Sequence, residues 1–340
     1  AGPTTIGHQE GWRSEVLGWA PEPISVIPRR SQSGKKVLNV GIMLLFVLVM
    51  WAVWRSQFLI LEISPQSSDW AFDNSGARSL QSAGLSGDGI RVCMVDTGID
   101  TSHPDFNGLE LVFHDFLSEG NEPIDYGGLA HGTMMAGILV ANGQLKGVAP
   151  NVVLGMAAAL GEDAEGENSG NERLVADAIE WCWKSFRADI ISLSLGGIPD
   201  PNSSLEGPSS SAVRQALDNG VFVVAAAGND GGDEDDGRVA SPSNVREVIS
   251  VGALDNMNLI WEGSSMGSGI DNAGDPETDP HQKPEISAPG VGILSTGPGG
   301  QYYTSTGTSD STVFVAGILA LILEAEPQLA NSPDTTCIEL

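Results

Sequence analysis

Ile90-Arg91-Val92-Cys93-Met94-Val95-Asp96-Thr97-Gly98-Ile99-Asp100 is a short apolar run that stops abruptly on a carboxylate and a glycine turn. Apolar residues at nearly every position, several of them β-branched, predict a strand buried on both faces, as in parallel sheets. Runs of the same texture recur at Val152–Ala157, Asp189–Ser194, Val221–Ala226 and Val248–Val251. Helical patterns lie between and after them. In Glu172–Lys184, the residues Leu174, Val175, Ala178, Ile179, Trp181 and Cys182 share one face, and Ser169 with Glu172 reads as an S-x-x-E capping box. His131–Asn142, Ser209–Asn219 and Ser309–Glu324 read as further helices. Strands alternating with helices predict an α/β fold, a doubly wound and mostly parallel sheet flanked by helices. Such sheets bind ligands at the carboxyl ends of their strands.

Four polar residues stand at those ends. Asp96 closes the first strand, His131 opens H-G-T-M-M-A-G-I, Asn229 follows the fourth strand in A-A-A-G-N-D, and Ser309 lies in G-T-S-D-S before an apolar helix. Each alone has an ordinary explanation as a turn or helix-cap residue. Together they form the set that serine-hydrolase chemistry needs. A serine hydroxyl is a weak nucleophile until a base takes its proton, and histidine titrates near neutrality. A carboxylate fixes the imidazole tautomer and stabilises the imidazolium. The tetrahedral oxyanion needs preorganised donors, which an asparagine amide and a helix-start N–H can supply.

These segments resemble those of the subtilisin-like serine proteases over about 69–327. The resemblance rests on D-T-G-I-D-T-S-H-P-D at 96–105, G-V-A-P at 147–150, S-L-S-L-G-G at 192–197, K-P-E-I-S-A-P-G-V at 283–291 and G-T-S-D-S-T-V-F-V-A-G at 307–317. It implies a serine endopeptidase in which Asp96 orients, His131 is base and then acid, and Ser309 is the nucleophile, with Asn229 in the oxyanion hole. It implies further that Ser192, Leu193, Ser194, Leu195 and Gly196 resemble the edge that pairs with an extended polypeptide substrate. Ala227 and Gly228 would line the same site, and Ala240 the pocket floor. No cofactor is implied for the chemistry.

Three departures from the family pattern stand out. After the nucleophile, Asp310-Ser311-Thr312-Val313-Phe314 replaces the usual Met-Ala-(Thr/Ser)-Pro-His. A carboxylate there either burdens the oxyanion and raises the His131 pKa, or points away and favours the helix start. The second is adopted as the expectation; the first supports the alternative of a catalytically impaired, peptide-binding module. Calcium-binding relatives carry ligands in a loop before G-V-A-P, which is short here at Ala141–Lys146. Asp105 resembles one ligand but cannot alone enclose an ion that takes 6–8 oxygens, so structural calcium is a weak expectation. The acidic run Asp230, Asp233, Glu234, Asp235 and Asp236 reads as a solvated loop. No inhibitory prodomain is recognisable, and the end soon after Pro327 reads as a truncation, since relatives usually add a helix there.

The chain has 340 residues with 44 acidic and 16 basic, a formal net charge of −28. Such a balance repels phosphates and argues against a nucleic-acid partner. An α/β-hydrolase esterase is disfavoured because the G-x-S-x-G elbow is missing around Ser309 and the triad order differs. Residues 1–36 read as a disordered cytoplasmic tail. The uncharged segment Val37–Trp54 spans about 27 Å as a helix, enough to cross a bilayer core. Arg29, Arg30, Lys35 and Lys36 precede it and Arg55 follows, so the expected anchor is single-pass with the N-terminus cytoplasmic. Residues 55–68 would be a linker and 69–340 an extracytoplasmic peptidase domain. Cys93 and Cys182 read as buried small hydrophobes, and with Cys337 they are too few for a disulfide framework. Asn202-Ser203-Ser204 is a glycosylation triplet of the kind that chance often produces.

Overall fold

The computed structural model describes residues 40–48, 68–118, 120, 122–197, 207–232, 235–268 and 282–331. The chain divides into Ala1–Ile63 and Ser64–Leu340. In the first unit only residues 40–48 are described; they are helical and exposed. The rest of the expected tail and anchor, and the expected linker up to residue 67, lie outside the described residues, as do Cys337 and the Asn202 triplet.

In the second unit, two short helices, α1 (Asp69–Asn74) and α2 (Ala77–Ser82), lead into β1 (Arg91–Asp96), one residue later than the sequence pattern suggests. Then follow β2 (Leu111–Asp115), α3 (His131–Val140), β3 (Val153–Ala158), the two-residue strands β4 (Gly161–Glu162) and β5 (Asn168–Ser169), α4 (Glu172–Trp181), β6 (Ile190–Leu193), α5 (Pro208–Asp218), β7 (Phe222–Ala226), β8 (Ile249–Leu254) and β9 (Ile286–Pro289). The hairpin β10 (Val291–Thr296) and β11 (Tyr302–Thr306) precedes the long helix α6 (Thr308–Ala325).

Seven strands form one parallel sheet in the order β2-β3-β1-β6-β7-β8-β9. Alternate side chains of each strand point to opposite faces, and both faces are covered. Val92 and Met94 of β1 join α3 and α6 in one apolar layer. Cys93 and Val95 join α4 and α5 in the other. Double coverage is why the central strands read as unbroken apolar runs. Strand β2, at the sheet edge, alternates half-buried and exposed residues instead and so carries no continuous apolar run. Helix α6 is long and apolar enough to cross a membrane, yet two-thirds of it is buried, as expected of a core helix.

Two local expectations change. Cys93 and Cys182 are bonded to each other, joining β1 to the end of α4 across 89 residues of sequence. Reading each as a lone hydrophobe missed this because the contact is tertiary. The start of α4 is capped by Asn171, whose side chain accepts from the Arg173 N–H at 2.8 Å. Ser169 is occupied in β5, and Glu172 accepts from Ser209, so no capping box forms.

Candidate active site

The carboxyl ends of β1 and β7 and the starts of α3 and α6 supply the four polar residues. Asp96 is the last residue of β1 and fully buried. Its Oδ1 accepts from the Thr97 N–H and from His131 Nδ1, both at 2.7 Å. A carboxylate only accepts, so this bond assigns the Nδ1 proton and makes Nε2 the basic nitrogen of the neutral ring.

His131 is the first residue of α3. The residue before it, Ala130, sits in the left-handed region (φ 54°) and gives no side-chain cap. Neighbouring elements satisfy the open N–H groups of this helix start instead. Gly132 N–H donates to Thr97 Oγ1 at 2.8 Å and Thr133 N–H to Asp125 Oδ2 at 2.8 Å. Asp125 also accepts from the Thr97 hydroxyl, the Gly127 N–H and the Thr133 hydroxyl. One carboxylate thus clamps the residue after Asp96 to the helix that presents His131. The approach is too close for any side chain at position 132: a Cβ there would lie 2.1 Å from the Gly98 carbonyl oxygen. Sequence reasoning missed Asp125, because an aspartate in P-I-D-Y-G-G looks like any turn residue.

Ser309 is the second residue of α6, where a backbone N–H has no partner within the helix. Asn229 lies beyond β7, exposed. Its Oδ1 accepts from the Thr308 N–H and hydroxyl, both at 2.9 Å, which leaves Nδ2 to donate elsewhere. A Cβ built on Gly307 would stand 3.3 Å from Asn229 Nδ2 and 3.7 Å from Ser309 N. Two donors therefore border one small space. The Ser309 hydroxyl donates to the Ser194 carbonyl at 3.3 Å, and the Ser194 hydroxyl returns a bond to the Ser309 carbonyl at 3.1 Å. In this rotamer the Ser309 proton is directed to Ser194.

Electrostatics distinguish the site. The His131 ring is one-fifth exposed. Burial opposes its charge, but Asp96, joined by Asp310 and Asp125, outweighs that and lifts the imidazole to about 9. Asp310 is 1% exposed. Burial pushes its carboxyl up to about 7, against the opposing pull of the Ser305 hydrogen bond and of His131. Asp310 lies in the first turn of α6, where a negative charge is favourable, and its buried carboxylate accepts from the Ser305 hydroxyl.

The substrate-edge residues divide in two. Ser192 and Leu193 belong to β6, which lies between β1 and β7, and both are buried. They form the sheet rather than its rim, so their expected contact with substrate is corrected. Beyond the strand, Ser194 remains buried, Leu195 is half-buried and Gly196 is exposed. Gly196 packs against Ala240, and Gly197 exchanges backbone bonds with Ser241 at 2.9 Å each way. Ala227 is fully buried and holds Ala240 through its carbonyl at 2.7 Å. Gly228 N–H donates to the Thr308 hydroxyl at 3.2 Å.

Asp105 is held by donors of the protein itself. It is 2% exposed, and its carboxylate accepts from the Gln144 N–H (2.8 Å), the Leu145 N–H (2.9 Å) and the Tyr302 hydroxyl (3.0 Å). The short loop is held by those bonds directly. Among the described residues no three or more His, Cys, Asp or Glu side chains are grouped to share an ion. In the acidic loop, Asp230 accepts from Ser265, while Asp235 accepts from Gly237 and Met266 N–H groups.

Comparison with known proteins accords with this arrangement. The Subtilase family, Peptidase S8, matches residues 87–336. Subtilisin of Bacillus pumilus is 36% identical over 273 residues, covering 78% of this chain and 88% of its own. Subtilisin NAT of Bacillus subtilis subsp. natto is 36% identical over 273 residues, and this chain spans only 64% of its length. The crystal structure of a cold adapted subtilisin-like serine proteinase superposes with a TM-score of 0.60 at 29% identity, covering 76% of this chain and 82% of the other.

Proposed function

Since the chain belongs to the subtilase family, we propose that it is a serine endopeptidase whose chemistry is carried by Asp96, His131, Ser309 and Asn229. The observation that carries this reading is the 2.7 Å Asp96–His131 bond, made at strand and helix ends that also bring Asn229 against the start of the Ser309 helix. Rotation of the Ser309 hydroxyl from Ser194 toward Nε2 lets His131 take its proton as the oxygen attacks the scissile carbonyl. Negative charge then develops on the carbonyl oxygen, where the Asn229 amide and the Ser309 N–H can donate. His131 returns the proton to the leaving amine, and water repeats the sequence to release the acyl group. The half-buried Leu195 and the exposed Gly196, just beyond β6, are the backbone offered to an extended polypeptide, with main-chain bonds giving affinity.

The setting proposed is outside the cytoplasm, tethered by residues 37–54. Two observations support it: the basic residues ahead of that apolar segment, and the Cys93–Cys182 bond, which suits an oxidising compartment. The activity test is cleavage of unfolded casein by the full chain. Turnover lost on Ser309→Ala is expected. Peptide binding without turnover under alkaline conditions would instead indicate a non-catalytic binding module.

A further inference from the structure

Helix α3 carries His131 and helix α6 carries Ser309. The imidazole is held by Asp96 and the serine hydroxyl donates to Ser194. The separation of the two side chains is therefore set by whatever joins the two helices, and the β10–β11 hairpin joins them beside the site.

At its base the hairpin is tied to the start of α6. Gly307 N–H donates to the Gly290 carbonyl at 2.8 Å, the Ser311 hydroxyl to the Ala288 carbonyl at 2.9 Å, and the Ser305 hydroxyl to the Asp310 carboxylate. Toward α3 it extends two adjacent hydroxyls. Thr296 Oγ1 donates to the Thr133 carbonyl at 2.8 Å and Ser295 Oγ to the Met134 carbonyl at 2.5 Å. A carbonyl has two lone pairs, so each can take a hydroxyl besides its partner within the helix. Both donors are fully buried. A Cβ on Gly137 would lie 2.2 Å from Thr296 Oγ1 and 2.4 Å from Ser295 Oγ, so α3 offers a glycine where the hydroxyls need the space.

Thr133 is held on its other sides as well. Its N–H and hydroxyl donate to Asp125 Oδ2, and its hydroxyl accepts from the Asp100 N–H. With the Thr296 bond, every polar group of Thr133 has a partner outside α3, two residues from His131.

We propose that Thr296, with Ser295 beside it, is a positioning residue that acts through α3, its hydroxyl fixing how far the His131 helix stands from the hairpin that leads to Ser309. The inference rests on the endopeptidase reading of this site and deepens it with the device that keeps base and nucleophile in register.

The distance depends on the hydroxyl itself. A donor can stand 2.8 Å from a carbonyl oxygen, whereas a carbon needs about 3.3 Å or more. Thr296→Val, nearly identical in shape, should therefore push the first turn of α3 away by about 0.5 Å. Misplacing a reacting group by about 1 Å can lower a rate about 10²-fold, so half that shift should lower it about tenfold. Thr296→Ser keeps the hydroxyl and should keep the distance.

The full chain is assayed as native protein, Thr296→Val, Thr296→Ser and Ser295→Ala, each well below its melting temperature. Turnover is expressed per active site, counted with a fluorophosphonate, so that unfolded protein does not enter. The expected result for Thr296→Val is a fall of about tenfold in kcat with KM unchanged, and for Thr296→Ser a kcat close to native. Native kcat in a folded Thr296→Val protein overturns the inference, and so does an equal fall in Thr296→Ser. If Thr296→Val does not fold, Ser295→Ala carries the test, and an unchanged kcat there overturns it. A second readout is independent of turnover: the NMR resonance of the His131 ring, identified as the imidazole signal lost in His131→Ala. It is expected to move in Thr296→Val and to return in Thr296→Ser; a resonance that stays in place in Thr296→Val overturns the inference. If the native protein turns over no peptide while the resonance moves and returns, the endopeptidase reading fails and the positioning of His131 by Thr296 stands.

Discussion

Asn229 shows how much one side chain can organise. Its amide oxygen is engaged twice by Thr308, so the amide cannot flip without losing two bonds to the start of the Ser309 helix. That orientation leaves Nδ2 free to donate to the oxyanion in the proposed mechanism. Asn229→Ala is expected to lower kcat by about 10²–10³, a magnitude known from a subtilisin, with little change in KM. A matched fall in affinity instead would mean that the amide binds substrate in the ground state. Asp125 is the complementary case, acting on position rather than on reacting atoms. Asp125→Ala removes an acceptor for four donors around Thr97 and Thr133. Activity is expected to fall at least tenfold, with partial recovery in Asp125→Asn, which keeps one acceptor oxygen. The residues proposed to carry the chemistry were legible in the sequence, because Asp96, His131, Asn229 and Ser309 each sit in a distinctive glycine-bearing motif. Asp125 was not legible, because its partners are fixed only when β1, its own loop and α3 meet.

At the scale of elements, the strands buried on both faces were read directly from apolar runs, while β2, β9 and the β10–β11 hairpin were not. Edge position explains β2: with one side exposed, it loses the continuous pattern. Strand β9 is four residues long and ends on a proline, so no apolar run marks it. The disulfide was illegible for a different reason. Cys93 is a strand residue facing the layer of α4, and only the packed layer brings it to Cys182, with Cα atoms 5.7 Å apart. Closing 89 residues of chain, this crosslink should restrict the unfolded state considerably. Replacing both cysteines by alanine is expected to cost about 2–5 kcal/mol, read as a lower denaturant midpoint with a steeper slope, because the unfolded chain expands once the crosslink is gone. An unchanged midpoint would show that the two sulfurs are not bonded in the mature protein.

For the whole molecule, the fold follows from one requirement, that a seven-stranded parallel sheet be covered on both faces. The apolar helices α3 and α6 meet that need on one side and α4 and α5 on the other. That arrangement sets the candidate site at the carboxyl ends of β1 and β7. The acidic composition and the apolar segment at 37–54 were equally plain in the sequence, but they concern surroundings rather than fold. If the proposed tether is correct, the full chain expressed in cells should stay with the membrane through alkaline carbonate washing. External protease should reach residues beyond 68 in intact spheroplasts. Release of the chain by carbonate would remove the tether and leave the peptidase proposal untouched.

The central claim is that Ser309, and no other hydroxyl of the Thr308–Thr312 turn, is a nucleophile activated by His131. Its most direct test is labelling with a fluorophosphonate at pH 9–10, roughly the range in which His131 becomes a free base, followed by peptide mass spectrometry. One adduct per chain, on Ser309 and lost in His131→Ala, is the expected outcome. An adduct on Ser311, labelling that persists without His131, or no labelling across that range would contradict it.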